Sequence, residues 1–176
     1  TTNFVAGMPL CAVSIGIVAV PSGERMGAVV LDPFRGELFA AWRGRGAYLN
    51  DARMHCSPVG ELADAVVCGA SPKLHAVPEA LRGLAAVMPR CRSVRILGSG
   101  VLNFAWVACG RLGAYFEPEL APWDTAAGTL LIEEAGQLRR WLRAGGLAHR
   151  LVHHRPRRRQ PAACRWWVGM RAVAAG

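Results

Sequence analysis

Pro122-Trp123-Asp124-Thr125-Ala126-Ala127-Gly128-Thr129-Leu130-Leu131-Ile132-Glu133-Glu134-Ala135-Gly136 reads as one helix with both ends marked. Proline in the first turn pre-sets the helical φ, an early carboxylate complements the macrodipole, and Gly136 supplies a stop. The helix is predicted over residues 122–135. Before it, residues 114–117 form a short strand. Ser99 starts a helix whose Val101, Ala105, Ala108 and Leu112 make one apolar stripe, closed by Gly113. Residues 93–97 are a further strand, and residues 78–88 a helix with Leu81, Leu84, Ala85 and Met88 at helical spacing, ended by Pro89. Residues 65–68 are a short buried strand. Strands alternating with helices indicate α/β layering.

The first third has a different rhythm. Apolar, β-branched segments at 10–20, 26–31, 37–42 and 47–49 are separated by Pro21-Ser22-Gly23, by the turn at 32–36 and by Gly44-Arg45-Gly46. They form an antiparallel meander whose successive strands are neighbours. The expected fold is therefore α/β, an antiparallel meander sheet followed by a second sheet with packed helices.

With 176 residues and 52% hydrophobic content the chain can bury one substantial core. Its longest apolar run, residues 9–21, falls short of the roughly 20 residues of a membrane span, and reads as a buried strand. It has no basic leader or cleavage site. The chain opens on Thr1 rather than Met, as a fragment would. Cys11, Cys56, Cys68, Cys91, Cys109 and Cys164 are too scattered for a zinc or redox motif and read as reduced thiols serving as small hydrophobes in the core of a cytoplasmic protein.

Net charge is +9, but residues 1–136 sum to −1 and residues 137–176 to +10, with no Asp or Glu after Glu134. The tail shows no sustained helical or strand period. Three readings compete for it: a basic arm for nucleic acid, a disordered solvated extension, or a stretch translated out of frame from a GC-rich gene. The composition break after Gly136 places a boundary there, giving a domain over 1–136 and an atypical basic tail over 137–176.

Asp124 is the most informative side chain. It could simply cap its helix, or it could reach a hard cation, because Mg²⁺ takes oxygen ligands and is commonly held by one or two carboxylates together with substrate phosphate. Likewise Arg95 could pair with a carboxylate, Ser99 is a good N-cap, and Glu117 before Pro118 could be an exposed strand end. His55 and His75 have no partner at ligand spacing.

The segment 122–136 resembles the second signature of the inositol monophosphatase family, a Trp-Asp pair followed by a small-residue helix ending in Glu-Ala-Gly. Thr1-Thr2-Asn3-Phe4 resembles the end of that family's other signature, Asp-Pro-Ile-Asp-Gly-Thr-Thr-Asn-Phe. Between them, residues 9–16 are similar to the strand after that signature, and residues 44–50 to its Gly-x-Gly-Ala turn. Arg95-Ile96-Leu97-Gly98-Ser99 is similar to the Arg-x-x-Gly-Ser/Thr turn, and Gly113-Ala114-Tyr115-Phe116-Glu117 to the segment whose Glu contacts a substrate hydroxyl. The resemblance covers residues 1–136.

It implies a layered sugar-phosphatase fold, present in part, and a Mg²⁺-dependent phosphomonoesterase acting on inositol 1-phosphate or a related polyol phosphate through a metal-activated water. Asp124 would be catalytic as the Mg²⁺ ligand, and Thr1 would hold phosphate and orient the water. Thr1, Gly98, Ser99, Gly100 and Glu117 would bind substrate. Histidinol-phosphate and fructose-1,6-bisphosphate phosphatases share both signatures and stay open as alternatives. From another class, a nucleic-acid or anionic-surface binding module would act through the Arg-rich tail. The expected partner is a small phosphate monoester, with no membrane, no nucleic acid and, as for many family members, a homodimer. The upstream acids of the family pattern are missing here, so the chain alone is expected to be inactive, with unpaired sheet edges and poor solubility.

Overall fold

The computed structural model describes residues 2–69, 74–117 and 120–136 in full, and the backbone of 138–144, 147–153 and 167–170. After a one-turn helix α1 (Thr2–Val5), five strands follow: β1 (Val13–Val18), β2 (Arg25–Asp32), β3 (Glu37–Trp42), β4 (Gly46–Leu49) and β5 (Ala52–Arg53). They pair antiparallel in sequence order, with Ile15 opposite Val29 and Val29 opposite Ala40. Side chains alternate between the two faces. Ala28, Val30, Phe39, Ala41 and Ala47 are buried on the inner face.

β1 differs from its expected place. The run that reads as a buried strand is an edge strand, with Val13 at 56%, Ile15 at 55% and Ile17 at 44% exposure. The face carrying Ser14 and Gly16 packs against a helix, and the opposite face carries the exposed Val13, Ile15 and Ile17.

The second part runs β6 (Val66–Cys68), α2 (Val77–Val87), β7 (Ser93–Arg95), α3 (Gly100–Ala108), β8 (Ala114–Glu117) and α4 (Pro122–Glu134). Its sheet has the order β7-β6-β8-β11-β10-β9, where β9 is Leu138–Ala144, β10 is Leu147–His153 and β11 is Trp167–Met170. β7, β6, β8 and β11 are parallel, while β9, β10 and β11 pair antiparallel. Residues 137–176 have no strand period in sequence, yet their backbone supplies three strands. β11 lies along β8, Val168 opposite Tyr115, in place of the open edge expected there. Ladder hydrogen bonds are made by backbone groups, so strand pairing does not require a clean apolar alternation.

α4 is the spine of the molecule. Its residues from Ala127 through Ile132 are consecutively buried, because the helix is sandwiched between β1–β4 on one side and α3 on the other. Two glycines set how closely these layers approach. A Cβ at Gly16 would stand 2.7 Å from that of Ala126, and one at Gly128 would stand 2.4 Å from that of Phe104. Gly136, at φ +103°, follows the helix in the conformation expected of a stop.

β8 separates two cores. Tyr115 points into the large core with Phe104, Leu130 and Leu131, whereas Ala114 and Phe116 face a smaller one with Val67 and Ala80 of α2. Of the five described cysteines only Cys68 is fully buried, and all five are free thiols. Burial pushes the Cys68 thiol up to about 11, so it stays protonated and inert at neutral pH. Among the described residues no helix is long and apolar enough to cross a membrane.

Candidate active site

α3 and α4 begin beside each other. Their N-terminal ends open on one cleft of about 410 Å³, lined by Asn3, Cys11, Gly98, Ser99, Gly100, Glu117 and Asp124, with Leu10, Ala12, Val101 and Leu120 completing its walls. The first N–H groups of a helix have no intrahelical acceptors and carry partial positive charge. Two such ends beside two carboxylates make a site with both electropositive backbone and acidic side chains.

Every described residue assigned to the site from sequence lines this cleft: Asp124, Gly98, Ser99, Gly100 and Glu117. Thr1 lies outside the described residues; its neighbour Thr2 opens α1, and Asn3 reaches the cleft wall.

Asp124 occupies the third position of α4. Its Oδ2 accepts the backbone N–H of Ala121 at 3.0 Å, which closes the helix entry and fixes the carboxylate beside the cleft. The helix-cap and cleft-facing readings of Asp124 are therefore compatible, since one oxygen serves the backbone. Thr125 Oγ1 donates to the Pro122 carbonyl at 3.1 Å and reinforces the same turn.

Ser99 departs from its expected part. It takes the N-cap position in extended conformation, φ −130° and ψ 94°, but its side chain makes no capping bond to α3. Its hydroxyl is not spent on the helix, and the residue lines the cleft. Gly98 sits at φ +72°, a left-handed conformation that a side chain would strain, and a Cβ there would come within 3.0 Å of Asn3 Oδ1. Arg95, for which a carboxylate partner is one reading of the sequence, donates from Nη1 to the Val94 carbonyl at 2.9 Å.

Asn3 has no role in the sequence reading beyond membership of the Thr1–Phe4 signature. Its Nδ2 donates to the carbonyls of Leu97 at 2.8 Å and Leu10 at 3.0 Å, at only 8% exposure. It ties the opening segment to both walls of the cleft, the farther of them, at Leu97, 94 residues on in sequence. Cys11, Leu10 and Ala12 enter the cleft through the same clamp, and the Pro9 carbonyl beside them accepts from Arg35 Nη1 at 3.1 Å. Arg35 is itself held by buried Asp32 at 2.9 Å.

Glu117 is fixed from below. The hydroxyl of Tyr115, two residues earlier on the same face of β8, donates to its Oε2.

The Asp124 carboxylate is an oxygen donor of the kind that suits a hard cation such as Mg²⁺. Among the described residues no three of His, Cys, Asp and Glu gather in a metal-holding cluster.

The inositol monophosphatase family model matches residues 1–156. An inositol-1-monophosphatase of Rhizobium meliloti is 43% identical over 138 residues, covering 77% of this chain and 51% of that protein. The Nus factor SuhB of Vibrio cholerae is 42% identical over 141 residues, covering 78% and 52%. Among solved structures, the extragenic suppressor protein SuhB of Bartonella henselae superposes with a TM-score of 0.77 at 37% identity, covering 83% of this chain and 56% of that one. The inositol monophosphatase of Anabaena gives 0.71 at 33%, covering 80% and 58%. The chain spans about half the length of the curated relatives it matches. With the two signatures brought to one cleft and the family model matched over most of its length, the chain belongs to the inositol monophosphatase family.

Proposed function

We propose that this chain carries the alcohol side, and one metal ligand, of a Mg²⁺-dependent phosphomonoesterase that hydrolyses inositol 1-phosphate or a related polyol phosphate. The observation that carries the reading is the convergence of Asp124, Glu117 and the Gly98-Ser99-Gly100 turn on a single cleft at two helix N-termini.

Each residue has a separate task. Asp124 would hold Mg²⁺, which supplies charge neutralisation on the phosphoryl oxygens and a bound water of lowered pKa. Thr1 would hold phosphate and orient the attacking water. The backbone N–H groups at the start of α3 and α4 favour an anion, as helix N-termini do. Gly98 and Gly100, lacking side chains, let the substrate approach the backbone, and Ser99 offers a hydroxyl. Glu117 accepts a hydrogen bond from a substrate hydroxyl on the alcohol side. Catalysis of this kind is mainly positioning and electrostatics.

A single carboxylate assigned to the metal is too little charge to assemble a multi-ion site. We therefore expect the 176-residue chain alone to release phosphate negligibly while still binding the ester in the presence of Mg²⁺. The test measures phosphate release from myo-inositol 1-phosphate and its Mg²⁺-dependent binding, for the chain alone and for the chain preceded by a family segment bearing the upstream acids. Turnover restored by that segment, and lost again in Asp124→Asn, is the expected result. Turnover by the isolated chain at rates typical of an intact enzyme would refute the expectation of inactivity; binding indifferent to Mg²⁺ and to Asp124→Asn would refute the phosphatase reading itself.

A further inference from the structure

Beneath the cleft lies a buried polar pair that the site residues do not explain. Tyr115 is 0% exposed, and its ring stands edge-on to Phe104 with centroids 5.5 Å apart. A phenol placed so deep must have its hydroxyl satisfied. The hydroxyl proton goes to Glu117 Oε2. A carboxylate only accepts, so the phenolic proton runs from Tyr115 to Glu117 and fixes the direction of the bond.

Gly100 makes room for this arrangement. A Cβ there would lie 3.1 Å from the Tyr115 hydroxyl and 3.3 Å from Leu120 Cδ2. The glycine in the substrate-facing turn therefore makes room for the buried Tyr115–Glu117 pair as well as for the open cleft. Tyr115 and Glu117 alternate with Phe116, whose ring packs in the other core, so β8 cannot rotate the pair away without unpacking both cores.

We propose that Tyr115 is a positioning residue that holds the Glu117 carboxylate in the orientation that recognises a substrate hydroxyl, so that the site distinguishes polyol phosphates from phosphates with no neighbouring hydroxyl. The proposal rests on the reading of Glu117 as the contact to the alcohol. Burial, and next the charge of Glu117, push the Tyr115 phenol well above its ordinary value, so it remains a neutral donor over the whole working pH range.

The experiment is titration calorimetry on the 176-residue chain with Mg²⁺, comparing myo-inositol 1-phosphate with methyl phosphate, for wild type, Tyr115→Phe, Glu117→Gln and the double variant. Tyr115→Phe keeps the ring and removes only the hydroxyl. It should weaken inositol 1-phosphate binding about tenfold, the scale of one hydrogen bond to a charged group, and leave methyl phosphate unchanged. The double variant should bind no more weakly than Glu117→Gln alone, because the two residues act as one unit. The Glu117 carboxyl carbon resonance should shift in ligand-free Tyr115→Phe, which reads the positioning without any ligand.

If Glu117→Gln weakens inositol 1-phosphate but Tyr115→Phe does not, the positioning proposal falls and the reading of Glu117 stands. Equal weakening of both ligands by Tyr115→Phe would also overturn it, as the signature of general loss of packing. If Glu117→Gln has no effect, or wild type binds no inositol 1-phosphate, the reading of Glu117 fails and Tyr115 loses its role with it.

Discussion

Asp124 is the proposed metal ligand, and one of its two oxygens already serves the start of α4. Asp124→Asn keeps an oxygen for the Ala121 N–H, so the helix start should lose less than about 1 kcal/mol. The lost negative charge should lower Mg²⁺-dependent binding of inositol 1-phosphate at least tenfold, as measured by calorimetry, with the thermal midpoint nearly unmoved. Gly128 poses a different question. Alanine there would add helix propensity worth about 1 kcal/mol, but its Cβ would meet Phe104 at 2.4 Å, and overpacking of that kind costs about 1–3 kcal/mol. Gly128→Ala should therefore be destabilising in urea denaturation, because both contact surfaces are buried helix faces with nowhere to move. Motif identity makes Asp124, Gly98, Ser99 and Glu117 legible in the sequence. The clamp made by Asn3 is not legible there, because its partners on Leu10 and Leu97 are carbonyls, and a carbonyl carries no side-chain signal.

Two sequence motifs turn out to be one structural element. Glu134, near the end of α4, accepts the N–H of Gly44 and the N–H of Gly46, each at 2.9 Å, and so clamps the Gly-x-Gly turn between β3 and β4. Arg43 beside it reaches Glu133 at 3.3 Å and Glu24 at 3.4 Å. Glu134→Ala should cost about 1–2 kcal/mol and speed amide exchange at Gly44 and Gly46, a local effect that a general loss of stability would not mimic. A second tie joins β3 to the turn after α3, where Arg111 donates from both Nη1 and Nη2 to Glu37. The hydrogen bond from Arg111 is the main reason that the Glu37 carboxyl titrates below its ordinary 4.5. The folded chain thus binds that proton less readily than the unfolded chain does. The contribution is complete above about pH 4.5 and fades as pH falls through the lowered folded value. Urea midpoints should show Arg111→Ala destabilising at pH 7 by up to about 1 kcal/mol, with the gap narrowing towards pH 3. Strand and helix positions are readable from sequence here because turn residues and apolar periods are local; the clamps between them are not, since each joins residues about 70 to 90 positions apart.

Across the whole molecule, two surfaces are unbalanced. The outer face of the β1–β5 sheet presents Val13, Ile15, Ile17, Leu31, Leu38 and Trp42, all at least 36% exposed, and β1 lies at its edge. Apolar faces of this kind and open strand edges promote association. The chain should scatter light increasingly with concentration, and Ile15→Lys with Ile17→Lys should suppress it; a monodisperse wild type with a sharp thermal transition would contradict this. The excess positive charge lies after Gly136, so any retention on a polyanion should fall steeply with salt and trace to residues 137–176. From sequence alone came the α/β class, the meander, the second alternating unit, the family and five of the eleven residues that line the cleft, because caps, turns, periodicity and motifs are properties of neighbouring residues. Only the tertiary structure decided that the run at β1 is an edge, that the backbone of Trp167–Met170 pairs with β8, and that Asn3, Tyr115 and Glu134 hold the site and its frame together. Those contacts are side chain to distant backbone or side chain to a buried partner, and they exist only once the layers have packed.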